Sequence, residues 1–246
     1  MIKKIVMKNF KSFGSIECDF TSSKETSKKI IAIYGENGSG KSNLISSIKF
    51  INEVNITMNY RKRIEEQLLK HNDSSVLNEL KLNFDLKSII QEYKMIDSND
   101  NMELEYTFDY NGKDIIYKML FNDESIIFES LKYPFEKNMV DLFRITPSDI
   151  SFNSGVFIDK KYEKGIKEKV LKYFSIHSFL SILFNELTSL NKAYIDFAIS
   201  KEFINVINVL YNIPVSFKDM FGNGDCYSKD VMSNQIMNGR IRKKFI

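Results

Sequence analysis

The chain has 246 residues, enough for one large domain or two small ones with a core that needs no covalent staple. Its 35 lysines and arginines stand against 32 aspartates and glutamates, and 43% of the residues are hydrophobic, which excludes a polycation whose role follows from charge alone. Two cysteines, Cys18 and Cys226, and two histidines, His71 and His177, fit no metal-ligand spacing and argue against a zinc enzyme or a disulfide scaffold. The longest mainly apolar stretch, Tyr173 to Leu187, is interrupted by His177, Asn185 and Glu186 and is too short to span a bilayer. Met1 to Lys8 alternates apolar with basic residues and lacks a signal core, so a cytoplasmic location and no membrane partner are expected.

In chain order, Ile2–Phe10 and Phe13–Phe20 read as strands, followed by a polar loop from Thr21 to Lys29. Ile30-Ile31-Ala32-Ile33-Tyr34 is a continuous apolar run, the pattern of a strand buried on both faces. Gly35-Glu36-Asn37-Gly38-Ser39-Gly40-Lys41-Ser42 comes next, and then a helical pattern with Leu44, Ile45, Ile48 and Ile51 on one face. From Leu77 to Tyr133 short alternating segments predict an antiparallel meander: Leu80 to Leu86, Met102 to Tyr110, Ile115 to Phe121 and Ile126 to Leu131, with reversals at Asn111-Gly112 and Asn122-Asp123. Beyond Pro134 two long helices are expected, about Lys161 to Leu190 and Asn191 to Leu210, ended by Pro214. The expected divisions are a core over 1–76, an antiparallel β insertion over 77–133, a helical subdomain over 134–215 and a weakly periodic tail over 216–246.

The pattern G-x-x-x-x-G-K-S between a strand and a helix has a physical reading. Gly35, Gly38 and Gly40 let the backbone curl so that successive N–H groups face one concavity, free of side chains that would block a triphosphate. Lys41 sets an ammonium beside the β- and γ-phosphates, Ser42 offers a hydroxyl to Mg²⁺, and the helix aims its positive end at the same anion. The binding set for ATP is therefore Gly35, Glu36, Asn37, Gly38, Ser39, Gly40, Lys41, Ser42 and Asn43, with Lys41 the catalytic cation and Ser42 the metal ligand. The alternative is a glycine- and serine-rich turn with a surface lysine.

Asn9-Phe10-Lys11-Ser12-Phe13, the glycine loop and Asn43-Leu44-Ile45 together resemble the N-terminal lobe of ABC-type ATPases of the SMC, RecF and OLD group. The likeness extends to bacterial ATP-binding proteins of that group found beside nucleases and in phage defence. It implies an α/β P-loop NTPase lobe with an inserted antiparallel β-meander and a helical subdomain, acting on ATP with Mg²⁺. It also places the segment from Asn9 to Phe13 near the nucleotide, which makes Lys11 and Ser12 further candidates for nucleotide contact; exposed polar residues at a loop end are the competing reading. A homodimer or a second ATPase lobe is the implied partner, with a nuclease or a nucleic acid left open.

Hydrolysis in that group needs a second acidic motif, an apolar run followed by Asp-Glu. Val156-Phe157-Ile158-Asp159 has a shortened lead and Lys160 in place of glutamate, and Ala193-Tyr194-Ile195-Asp196 is followed by Phe197. Both aspartates read better as solvated residues at the edge of an element. The chain is thus expected to bind ATP and act as an ATP-dependent switch in processes on DNA or RNA or in phage defence, with a non-hydrolysing regulatory subunit, the truncated half of a split ATPase and a small kinase as alternatives. The basic runs Tyr60-Arg61-Lys62-Arg63 and Arg240-Ile241-Arg242-Lys243-Lys244 read as solvated charge before they read as a nucleic-acid surface, and Glu129 reads as a surface-paired residue of the meander.

Overall fold

The computed structural model describes residues 1–22, 26–28, 30–70, 85–136, 138–211, 216–218 and 224–226. Seven strands form one sheet: β1 (Ile2–Phe10), β2 (Phe13–Asp19), β3 (Met102–Tyr110), β4 (Lys113–Phe121), β5 (Ile126–Phe135), β6 (Asn138–Ile145) and β7 (Ile150–Phe152). Their order is β2-β1-β3-β4-β5-β6-β7 and every pair is antiparallel. Six helices accompany it among the described residues: α1 (Lys41–Lys70), α2 (Leu86–Tyr93), α3 (Lys160–Tyr173), α4 (Phe179–Leu187), α5 (Lys192–Ala198) and α6 (Lys201–Tyr211). A separate hairpin pairs β8 (Ser216–Lys218) with β9 (Gly224–Cys226).

The alternation read from the sequence becomes a two-faced sheet. Met102, Leu104, Tyr106 and Phe108 of β3 lie opposite Phe121, Met119, Tyr117 and Ile115 of β4, all buried on one face. The other face carries ion pairs, among them Lys118 with Glu103 at 2.8 Å and Lys4 with Glu17 at 2.7 Å. The turn between β3 and β4 is the predicted one: Asn111 (φ 53°) and Gly112 (φ 75°) both take the left-handed conformation that a two-residue hairpin of this twist requires.

Helix α1, 30 residues and about 45 Å long at 1.5 Å per residue, runs across the apolar face. The Tyr106 hydroxyl on β3 donates to the Ser47 carbonyl at 2.7 Å, Phe50 meets Phe121 edge-on at 5.1 Å, and Val54 is fully buried. Fully burying side chains such as Phe50, Ile51 and Val54 contributes roughly 1.5–3 kcal/mol each.

Five expectations are corrected. Ile30–Tyr34 is not a buried strand. Ile30 is 88% and Tyr34 89% exposed, and the segment pairs with neither edge of the sheet, β2 or β7, nor with any other described strand. Leu86 begins a helix: Asp85 caps it by accepting the Ser88 N–H at 3.1 Å, and Leu86, Ile89, Ile90 and Tyr93 form its buried face. Strand structure continues past Pro134 to Phe152 before helices begin. The two long helices are each divided, at Ser178, which caps α4 through the Ser181 N–H, and near Ser200, which accepts the Phe203 N–H. The expected segments at Leu80, Leu82 and Phe84, the stop at Pro214 and the tail from Arg240 to Phe245 lie outside the described residues.

Glu129 is the fifth correction. It is fully buried, facing α4 from β5. Its carboxyl accepts the N–H groups of Phe179 (2.5 Å) and Leu180 (3.3 Å) and the Tyr117 hydroxyl (2.8 Å). Around it, Ser178 donates to Asn55 on α1, and Ser181 accepts from the Met58 N–H at 2.8 Å, so one polar cluster joins sheet, α1 and α4. Burial pushes the Glu129 carboxyl up to about 7 from 4.5, against those three hydrogen bonds. A carboxyl raised in the folded state stabilises the protein below its unfolded pKa, and this contribution is lost as pH rises through about 7. The stability difference between wild type and Glu129→Gln, measured by urea unfolding, is therefore predicted to fall by about 3 kcal/mol from pH 4.5 to pH 8. Parallel pH curves would contradict the assignment.

Candidate functional site

The glycine loop sits where the chain turns from Ile30–Tyr34 into α1. The Ser39 N–H donates to the Glu36 carbonyl at 3.2 Å, closing a turn, and the N–H groups of Asn43 and Leu44 both donate to the Gly40 carbonyl, at 2.9 and 3.1 Å, opening the helix. Gly38 (φ 84°) and Gly40 (φ 89°) are in the left-handed region that favours glycine. No acidic residue lies in the first turn of α1, so the positive end of its dipole is not neutralised from within the helix.

Space is as restricted as conformation. A Cβ at Gly40 would lie 2.5 Å from Cε1 and Cζ of Phe13, and one at Gly35 would lie 2.8 Å from Ser39 Oγ. Residues 31–39 and Ser42 are exposed, and Lys41 bends back over its own loop. Its Nζ donates to the carbonyls of Gly35 (2.7 Å) and Glu36 (2.5 Å) and lies 3.4 Å from Ser39 Oγ. The loop is thus open to solvent, with an ammonium folded over it and a serine hydroxyl at the start of the helix, a donor set that suits a polyphosphate and a hard divalent cation.

The structure brings Ser12 to this loop and turns Lys11 away from it. Asn43 Nδ2 donates to Ser12 Oγ at 2.7 Å. Lys11, itself at φ 49°, donates its N–H to the Tyr93 carbonyl at 2.7 Å, and its ammonium lies 3.8 Å from Glu92 Oε1 and 4.4 Å from the centre of the Tyr93 ring. Phe13, the last residue of the segment expected near the nucleotide but not itself a contact candidate there, puts its ring against Gly40, a contact its place in the sequence does not reveal.

The two aspartates considered for a metal role sit at element edges. Asp159 caps α3, accepting the Lys161 N–H at 2.9 Å, and Asp196 is exposed on α5. Among the described residues no cluster of three or more His, Cys, Asp or Glu side chains is arranged to hold a metal ion, and no helix is long and apolar enough to cross a membrane.

With a glycine loop, an attendant lysine and an antiparallel sheet in view, the comparison with known families is direct. The model of the RecF/RecN/SMC N-terminal domain matches residues 1–142, more than half of the chain. The chain belongs to this family. No curated protein matches it. The RecF/RecN/SMC match covers the whole loop, α1 and the strands from β1 to β5, and it ends within β6. ATPases of this type bind ATP with Mg²⁺.

The loop geometry orders three glycine substitutions. Gly14→Ala meets no atom within 4 Å and should leave stability unchanged, whereas Gly38→Ala, with open space but a positive φ, should cost about 1–2 kcal/mol. Gly40→Ala adds the collision with Phe13 to the same backbone strain and should cost the most. Urea unfolding of the three variants checks this order, and equal losses at Gly38 and Gly40 would contradict it.

Proposed function

We propose that this chain is the phosphate-loop half of an ATP-dependent switch of the ABC-type P-loop ATPase class. The observation that carries the reading is the glycine loop itself: left-handed Gly38 and Gly40, Lys41 over the mouth and Ser42 at the head of α1, in a member of the RecF/RecN/SMC family. The loop N–H groups between Gly35 and Ser42 that do not already donate to a loop carbonyl, as that of Ser39 does, would receive the β- and γ-phosphates. Lys41, whose Nζ now donates to two loop carbonyls, would exchange those acceptors for phosphate oxygens and stabilise the charge that develops on transfer. Ser42 would ligate Mg²⁺, which supplies charge neutralisation at the transferring phosphate. Ser12 lies close enough, through Asn43, to join the nucleotide's surroundings; Lys11 would have to leave Glu92 to do so.

Ile30–Tyr34 supports the other half of the proposal. A run of five apolar residues exposed ahead of a phosphate loop has the composition of a central strand in a parallel sheet, and among the described residues no strand pairs with it. In this reading a second lobe, from outside residues 1–246, pairs with that strand and brings the acidic residues that hydrolysis requires. Asp159 is engaged in capping α3, which favours slow or absent hydrolysis by this chain alone, or a regulatory role in which nucleotide stabilises an interface. Pairing with a second copy, a nuclease partner, nucleic acid and phage defence are extensions of the same proposal. For nucleic acid, the local positive site would be where Arg61 of α1 and Lys172 of α3 both meet the Tyr173 ring, at 5.9 and 5.0 Å.

Titration with a fluorescent ATP analogue and Mg²⁺ is expected to show saturable binding that Lys41→Ala weakens by at least about tenfold, the loss of one charge-assisted phosphate contact. Single-turnover hydrolysis by the chain alone should be slow. No binding by wild type, or binding indifferent to Lys41, would overturn the reading.

A further inference from the structure

The turn between β1 and β2 has more structure than a hairpin connection needs. Two of its residues, Asn9 (φ 52°) and Lys11 (φ 49°), are non-glycine residues in the left-handed region, a conformation that persists only when its surroundings enforce it. Those surroundings are the end of α2 and the connection from α2 to β3. The Lys11 N–H donates to the Tyr93 carbonyl, the Met95 N–H donates to the Asn9 carbonyl at 2.9 Å, and Asn9 Nδ2 donates to the Asn101 carbonyl at 3.0 Å. Behind the turn, Phe10, Phe50 and Tyr93 form a ring cluster with centroid separations of 5.1 to 5.9 Å. The turn is therefore anchored in the core on one side. On its other side it carries the two contacts to the glycine loop, Ser12 with Asn43 and the Phe13 ring against Gly40.

We infer that the β1–β2 turn is a brace for the phosphate loop and that Phe13 is its positioning residue, holding Gly40 and the start of α1 in the conformation that receives phosphate. This inference rests on the nucleotide reading above and deepens it. The ring fills the space over Gly40 from which every larger residue is barred, so the loop backbone has a wall on that side. A preset loop pays less ordering entropy when an anion arrives, and removal of the wall should therefore appear in affinity more than in folding. Phe13 is half-buried at the beginning of β2, packed against the edge of the core and not within it, so its truncation leaves the fully buried residues in place.

The test compares wild type, Phe13→Ala, Phe13→Leu and Phe13→Tyr in two assays: binding of Mg²⁺–ATP and of inorganic tripolyphosphate with Mg²⁺, and urea unfolding without ligand. Phe13→Ala should bind both ligands about tenfold more weakly than wild type, with Phe13→Leu between them and Phe13→Tyr within about twofold of wild type. Equal losses for the two ligands mark an effect on the phosphate loop. Should Phe13→Ala unfold, Phe13→Leu and Phe13→Tyr decide the matter by the same comparison. Wild-type affinity in Phe13→Ala or in Phe13→Leu overturns the brace, and so does a loss seen with ATP but not with tripolyphosphate, which would make Phe13 a base contact. A wild type that binds neither ligand overturns the nucleotide reading and the brace with it, an outcome distinct from the other two.

Discussion

The packing of α1 across one face of the antiparallel sheet fixes almost everything else in this protein. Leu44, Phe50, Ile51 and Val54 bury their side chains against strands that are apolar on that face alone. Because the glycine loop is continuous with the first turn of α1, that burial fixes where its helical end lies, and the contacts of Ser12 with Asn43 and of Phe13 with Gly40 hold it from the other side. Further along the same helix, Asn55, Thr57 and Met58 join the polar cluster around Glu129, Ser178 and Ser181, which ties α4 to the sheet. One rigid rod thus spans the distance from the phosphate loop to the helical layer. A change at the loop has a mechanical route to α4, through hydrogen bonds in a low-dielectric interior where leaving one unmade costs about 1–3 kcal/mol.

The arrangement at Ile30–Tyr34 is the counterpart of that stability. A chain that buries its other β-branched runs so completely leaves this one in water, directly before the glycine loop proposed to take ATP. Exposed strand-forming segments are a hazard unless something covers them. Pairing would satisfy both the backbone groups of the segment and the apolar side chains, and it would bring new residues to the open side of the glycine loop. The same event would complete the fold and the site, which is why nucleotide binding and partner docking are coupled in the function proposed for the chain.

Much of this was legible in the sequence, for local reasons. Asn111-Gly112 encodes its turn because both residues tolerate positive φ, and the period-two pattern of β3 and β4 then determines which residues are buried. Gly35 to Ser42 is legible because each residue type answers a separate requirement of phosphate binding. Ile30–Tyr34 was misread because hydrophobic pattern reports what a segment prefers, while pairing depends on a strand that these residues do not supply. Leu86 was misread although Leu86, Ile89, Ile90 and Tyr93 carry a helical period and Asp85 a cap, since alternation from Leu80 to Leu86 masked them. Glu129 had no signal at all. Its burial follows from α4 starting directly over it, a tertiary fact with no local imprint.

The account turns on Ile30–Tyr34 being a strand-forming sequence left without a sheet. Amide hydrogen exchange resolved to single residues addresses this most directly, because a paired strand and a solvated one differ by orders of magnitude in protection. In the chain of 246 residues by itself, the amides of Ile30 to Tyr34 should exchange at nearly the rate of an open chain while those of β3 and β4 remain protected. Protection at Ile30–Tyr34 comparable to that of β3 would contradict the account, since the segment would then already have the neighbours it is argued to lack.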